Sequence, residues 1–89
     1  VEYGERLTKE KLKMIEAAED FLKDLGFKQL RVRLHRGGIA RIEIANEELE
    51  YFCDFEVLNA VSRKLKALGF TYVTLDLEGY RSGSMDTES

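Results

Sequence analysis

Apolar positions recur along this chain with two periods, and each period marks one kind of element. From about Thr8 to Leu25 they recur every three to four residues, which predicts a helix with Thr8 as its N-cap. Its apolar stripe comprises Leu12, Ile15, Ala18, Phe21, Leu22 and Leu25. A second helix is predicted from about Asn46, as its cap, to Lys66, with acidic residues first and lysines last, as the helix dipole favours.

An internal repeat marks where both helices end. The segments LGFKQLRVRL (25–34) and LGFTYVTLDL (68–77) align without gaps. In each copy a glycine closes the helix, because it adopts the left-handed conformation readily, and the next phenylalanine packs back on the last turn. Alternating apolar residues follow, so each copy predicts a helix that leads into a strand.

The segment RVRLHRGGIARIEIA predicts a hairpin around two adjacent glycines. Leu34 shares a sheet face with Ala40, Ile42 and Ile44 only if the loop holds an odd number of residues, such as three. The second helix then connects the second and third strands, which predicts a parallel pair joined by a right-handed crossover.

The resulting order, α-β-β-α-β, predicts an α+β fold. We expect a two-layer sandwich with a three-stranded mixed sheet and both helices on one face, like a ferredoxin-like fold without its first strand. A single domain is predicted over residues 7–78, followed by a polar C-terminal tail over 79–89. The residues predicted to face the helices are Leu30, Val32, Leu34, Ile42, Ile44, Val73, Leu75 and Leu77.

The opposite sheet face is unusually charged. Alternation assigns to it Gln29, Arg31, Arg33, His35, Arg41, Glu43, Tyr72, Thr74 and Asp76. One interpretation is a solvated face on which Arg33 or Arg31 pairs with Glu43 across the strands. The other is ligand binding, because the guanidinium group holds a phosphate or carboxylate through two hydrogen bonds and the face contains arginine but no lysine.

Composition restricts the function further. The 89 residues fit one small domain, and a net charge of -3 argues against unspecific binding to nucleic acid or to an anionic membrane. Cys53 is the only cysteine in the sequence, so the chain has no internal disulfide. We expect Cys53 to be a small core residue and the protein to be cytoplasmic. The sequence contains no membrane-spanning apolar run.

Glu19 lies at the margin of the first helix's apolar stripe. Two interpretations are open: it caps a neighbouring group, or it is a partly buried carboxylate kept for a metal ion or an arginine. Neither a nucleophile and base pair nor a glycine-rich phosphate loop is present, so the residues by themselves predict a binding or assembly module.

The motifs YGERLT, AAEDFLKDLGF, RVRLH, ARIEI and LGFTYVTLDLEGYRSGSM, which span nearly the whole chain, carry a family resemblance. The chain resembles the C-terminal domain of LarE-type ATP-dependent sacrificial sulfur transferases, in the PP-loop ATP pyrophosphatase superfamily. The resemblance implies an N-terminal domain, absent here, that binds ATP and magnesium and adenylates a nicotinate-derived nucleotide. Sulfur transfer then serves synthesis of the nickel-pincer cofactor. Residues 1–6 would be the remnant of the interdomain segment, and this chain alone would be inactive and without a cofactor.

The resemblance also implies roles for individual residues. Arg31, Arg33, Arg41 and Arg81 look like ligands for substrate or phosphate, and Glu19 looks like an acid near the sulfur site that contacts a metal. It further implies homo-oligomer contacts. The alternatives are a free-standing module that binds an anionic ligand or nucleic acid, and a purely oligomerising domain. Tyr72 is the lone aromatic residue predicted on the open face, which argues against base stacking as in RNA-binding sheets.

Overall fold

The computed structural model describes residues 8–80. The elements in chain order are α1 (Lys9–Asp24), β1 (Leu30–His35), β2 (Ile39–Ile44), α2 (Asn46–Phe52), α3 (Phe55–Leu68) and β3 (Tyr72–Leu75). Helices α1 and α3 pack on each other and on the sheet, and α2 packs against β2. The predicted α+β sandwich is confirmed. Within residues 8–80, no helix has the length and apolar character needed to cross a bilayer.

Both predicted helix-to-strand units are present. The Thr8 hydroxyl accepts a hydrogen bond from the Lys11 amide at 3.2 Å, so the predicted cap of α1 is confirmed. After α1 the Phe27 amide donates to the Leu22 carbonyl, and after α3 the Phe70 amide donates to the Leu65 carbonyl. The glycine before each phenylalanine has a positive φ. The repeat therefore encodes one type of helix end, used twice.

The sheet has the order β1-β2-β3. Strands β1 and β2 are antiparallel with His35 opposite Ile39, so the loop between them has three residues, as predicted. Strands β2 and β3 are parallel with Ala40 opposite Val73, which confirms the predicted parallel pair. Because β2 is hydrogen-bonded on both sides, it fixes the positions of side chains from both edge strands.

The core lies between the helices and one sheet face. Its buried members are Ala18, Leu22, Phe27, Val32, Leu34, Ala40, Ile42, Ile44, Phe52, Val61, Leu65 and Phe70. The prediction that Leu77 faces the helices is wrong: β3 ends at Leu75 and the Leu77 side chain is 83% exposed. The reason is a turn that begins at Asp76, whose carboxylate accepts a hydrogen bond from the Glu78 amide at 2.9 Å.

The predicted second helix is two helices, α2 and α3, separated at Cys53 and Asp54. Asp54 has an extended backbone and its carboxylate accepts a hydrogen bond from the Glu56 amide at 2.9 Å, so it caps α3. The predicted cap at Asn46 is also wrong, since Ala45 occupies the N-cap position of α2. Cys53 is exposed at this break and is not the core residue that its sequence position indicates.

Candidate functional site

The charged sheet face that contains Arg31, Arg33 and Arg41, here termed the arginine face, holds a compact charged network centred on Glu43. Its carboxylate is on the central strand and Glu43 is only 8% exposed. One oxygen, Oε2, accepts hydrogen bonds from Arg33 Nε at 2.9 Å and from Arg41 Nη2 at 3.1 Å. Of the two cross-strand pairs considered from the sequence, Arg33 with Glu43 is therefore the one that forms.

Asp76 extends this network from the end of β3. Its Oδ2 lies 3.7 Å from Arg41 Nε, which is an ion pair without a direct hydrogen bond. Arg33 and Arg41 are directly opposite each other in the register, so two like charges meet across the strands. The two carboxylates offset this repulsion, and the central part of the face is close to neutral.

Arg31 is held differently from the other two arginines. It is exposed, and the carbon of its guanidinium lies 5.6 Å from the centre of the Tyr80 ring. Among residues 8–80 its guanidinium forms no ion pair with a carboxylate. The geometry therefore separates one arginine stacked on an aromatic ring from two that share Glu43.

His35 lies at the opposite end of the face, where β1 enters the hairpin. Burial lowers the pKa of its imidazole, and the positive charges of Arg41 and Arg33 lower it further, while Glu43 opposes the shift. The neutral form is therefore favoured near pH 7. Because the pKa of His35 in the folded chain lies below the unfolded value of about 6.5, the unfolded chain binds more protons between these two values. The contribution of His35 to stability therefore decreases as the pH falls from about 6.5 through the folded pKa.

We expect NMR titration of the His35 ring protons to give a pKa below 6.5. His35 is the only histidine in the chain, so its signals need no assignment by mutation. Replacing Arg41 with alanine should raise the pKa, because one nearby positive charge is removed. A value at or above 6.5 in the unaltered chain would contradict the described environment.

Glu19 lies on the helix side, apart from the arginine face. Its Oε2 accepts a hydrogen bond from the Val32 amide at 3.0 Å. The Gln29 carbonyl accepts a hydrogen bond from the Ala45 amide and therefore points towards β2. Because the backbone groups of successive residues point to opposite sides of a strand, the Val32 amide points away from β2, to the free edge of β1. This contact matches the interpretation in which Glu19 caps a neighbouring group: the capped group is a backbone amide on the edge strand β1. Within residues 8–80 no three acidic, histidine or cysteine side chains form a metal-binding group, and the metal contact of Glu19 stays a prediction.

Replacing Glu19 with alanine should lower the free energy of unfolding by about 1–2 kcal/mol, because a partly buried amide loses a charged acceptor. Glu19→Gln keeps an acceptor oxygen and should lose less. Glu16, exposed on the same helix, is the matched control, and its alanine variant should change stability by about 0.5 kcal/mol or less. Equal effects of alanine at the two positions in urea unfolding would show that the Val32 contact contributes nothing.

The structure brings Arg31, Arg33 and Arg41 onto one face, and places Glu19 away from it. Arg81 lies outside the described residues. Tyr80 is not among the site residues predicted from the sequence, because the turn after β3 returns it to the sheet from a segment assigned to the tail. An aspartate followed three residues later by glycine, after the strand, is the local signal for that turn.

Comparison with known proteins extends these observations. No known protein-family profile matches the chain. A pyridinium-3,5-bisthiocarboxylic acid mononucleotide synthase of Lactiplantibacillus plantarum is 48% identical over 94% of the chain, and an uncharacterized protein of Synechocystis sp. is 43% identical over 94%. The matched regions are 29% and 31% of those two proteins. The chain is thus homologous, over almost all of its length, to a segment of about three-tenths of each relative.

Proposed function

We propose that this chain is the C-terminal accessory domain of a LarE-type ATP-dependent sulfur transferase that acts in nickel-pincer cofactor biosynthesis in the cytoplasm. The observation that carries the proposal is the 48% identity to the mononucleotide synthase over 94% of the chain. ATP and magnesium are assigned to an N-terminal domain, and phosphate or nucleotide binding to this one. By itself the chain is then inactive.

Arg31 is the principal ligand in this proposal. Arg31 is exposed and its guanidinium contacts the Tyr80 ring, and within residues 8–80 the guanidinium forms no ion pair with a carboxylate. Arg33 and Arg41 each donate to Glu43, and their main contribution is positive charge beside the ligand. Arg81 is assigned to the same site by family resemblance.

A titration with inorganic phosphate and with nicotinic acid mononucleotide tests this assignment. We expect the Nε–H signal of Arg31 and the amide signals of β1 to shift at millimolar ligand. Arg31→Ala should abolish most of the response. Arg63, exposed on α3, is the matched control, and Arg63→Ala should leave it intact. An absence of shifts on the arginine face would overturn the proposed binding role.

The same samples distinguish the alternative functions. A response to single-stranded RNA that exceeds the response to phosphate would favour a nucleic-acid module. Self-association without any ligand response would favour a purely oligomerising domain. At the level of the gene, we expect a reading frame upstream of residue 1 that encodes an ATP-binding loop of the SGGxDS type, and its absence would exclude the sulfur transferase.

Oligomer contacts are the second role in the proposal. Phe55 and Leu58 are 74% and 39% exposed and lie three residues apart on α3, so they share a face. Leu58 also lines an apolar cleft of about 280 Å³ beside β3. Exposed apolar surface of this kind is typical of protein contacts. Sedimentation at increasing concentration measures whether a second copy of the chain covers it.

A further inference from the structure

The segment after β3 returns to the central strand within five residues. The Gly79 amide donates to the Asp76 carbonyl at 3.1 Å, which closes a turn, and the Tyr80 amide then donates to the Ile44 carbonyl at 2.8 Å. Ile44 is the last residue of β2. Tyr80 is therefore hydrogen-bonded to the sheet by its backbone, next to the row that contains Arg31 and Glu43.

This return depends on a glycine at position 79. Gly79 is buried with φ +83°, a conformation that other residues rarely adopt. A Cβ atom there would lie 2.8 Å from the Ile44 carbonyl oxygen and 2.5 Å from Asn46 Oδ1. The backbone at this point has close neighbours on both β2 and α2. The conformation of Gly79 and these close contacts therefore fix the position of Tyr80 relative to the sheet.

The contact between the Tyr80 ring and Arg31 uses none of the hydrogen-bond donors of the guanidinium group. The guanidinium carbon is 5.6 Å from the ring centre, within the range of a cation–π contact. Such a contact uses the charge of the guanidinium and does not require its N–H groups. Glu43, in contrast, occupies one donor each of Arg33 and Arg41.

We propose that Tyr80 is a positioning residue of the phosphate-binding site proposed on the arginine face. Tyr80 holds Arg31 so that the guanidinium N–H groups of Arg31 receive an anionic phosphate group of the ligand. The inference rests on the proposed binding function and adds a residue to that site. Tyr80 acts through Arg31, and it fixes the direction of a long side chain that would otherwise move freely in solvent.

Phosphate and nicotinic acid mononucleotide titrations of Tyr80 variants of the full chain test the inference. Tyr80→Leu removes the π face, so both dissociation constants should increase about two- to five-fold. Tyr80→Phe keeps an aromatic ring and should bind like the unaltered chain. Tyr72, 61% exposed on the same sheet face, supplies the matched control, and Tyr72→Leu should have no effect.

The outcomes separate this inference from the function on which it depends. If the unaltered chain binds neither probe, the binding function fails. If it binds and Tyr80→Leu binds equally well, the positioning role of Tyr80 is wrong. A measurement without any variant gives a second test: the Arg31 Nε–H bond should be more rigid on the nanosecond scale than that of exposed Arg63. Equal mobility would also overturn the inference.

Discussion

Replacing Gly79 with alanine should lower the free energy of unfolding by about 2–4 kcal/mol, from backbone strain and overpacking together. The strain arises because Gly79 has φ +83°. The overpacking arises because the new Cβ atom would lie 2.8 Å from the Ile44 carbonyl oxygen, which is backbone and cannot rotate away. Thermal unfolding of a domain of this size should show a midpoint lower by roughly 10–30 °C.

Gly37 is the matched control for this substitution. It has nearly the same backbone conformation, φ +87°, but a Cβ atom there would meet nothing within 4 Å. Gly37→Ala should therefore cost only the strain, about 1–2 kcal/mol. Equal losses at the two positions would show that the close approach of Gly79 to β2 does not exist in solution.

Replacing Glu43 with alanine should lower the free energy of unfolding by about 2–3 kcal/mol. Two guanidinium groups lose their shared acceptor, and they lie opposite each other across the strands, so their repulsion is no longer offset. Both arginines keep some contact with water, at 26% and 36% side-chain exposure, which limits the loss. Urea unfolding at low ionic strength measures this difference.

Three further variants make the Glu43 prediction specific. Glu43→Gln keeps an acceptor without the charge and should have an intermediate effect. Arg33→Ala should cost more than the roughly 0.5 kcal/mol of a typical surface change but less than Glu43→Ala, because Arg41 still pairs with the carboxylate. Glu47→Ala, an exposed control in the first turn of α2, should have little effect. A loss at Glu43 no greater than at Glu47 would contradict the described network.

The sequence was sufficient for the parts of the fold that depend on local chemistry and parity. A glycine and phenylalanine after an apolar helix specify the same helix end twice, and the structure contains both ends. The three-residue hairpin loop followed from the requirement that Leu34 and Ala40 share a face. These predictions needed only neighbouring residues, which is why they were confirmed.

The break between α2 and α3 was not predicted, because the apolar positions were assigned to one continuous helical pattern. Phe52 is buried at the end of α2, and Val61 and Leu65 are buried in α3. The first residue of α3 that packs against the core is Val57, five residues after Phe52. In one continuous helix the side chains of Phe52 and Val57 would point about 140° apart around the axis, so they could not both face the core. That change of phase, together with the capping aspartate at position 54, is the signal that the sequence contained.

Side-chain partners on the arginine face were less predictable than the face itself. Alternation placed Arg31, Arg33 and Arg41 on one surface, but it left two pairings with Glu43 open. The register sets Arg31 opposite Glu43, whereas the ion pair joins Glu43 to Arg33 on the diagonal. The contact between Arg31 and Tyr80 depends on a turn and on a hydrogen bond to the far end of β2. Such a contact joins residues distant in the chain, and local patterns do not encode it.

The hydrogen bond between Tyr80 and Ile44 also determines where this domain can be shortened. A chain that stopped after Glu78 would retain every helix and strand that the structure describes within residues 8–80 and should give a similar circular dichroism spectrum. It would nevertheless lack the ring beneath Arg31, because that ring comes from the second residue beyond the cut. For work on isolated pieces of these proteins, secondary structure is therefore a misleading guide to the C-terminal boundary, and ligand affinity is the better criterion.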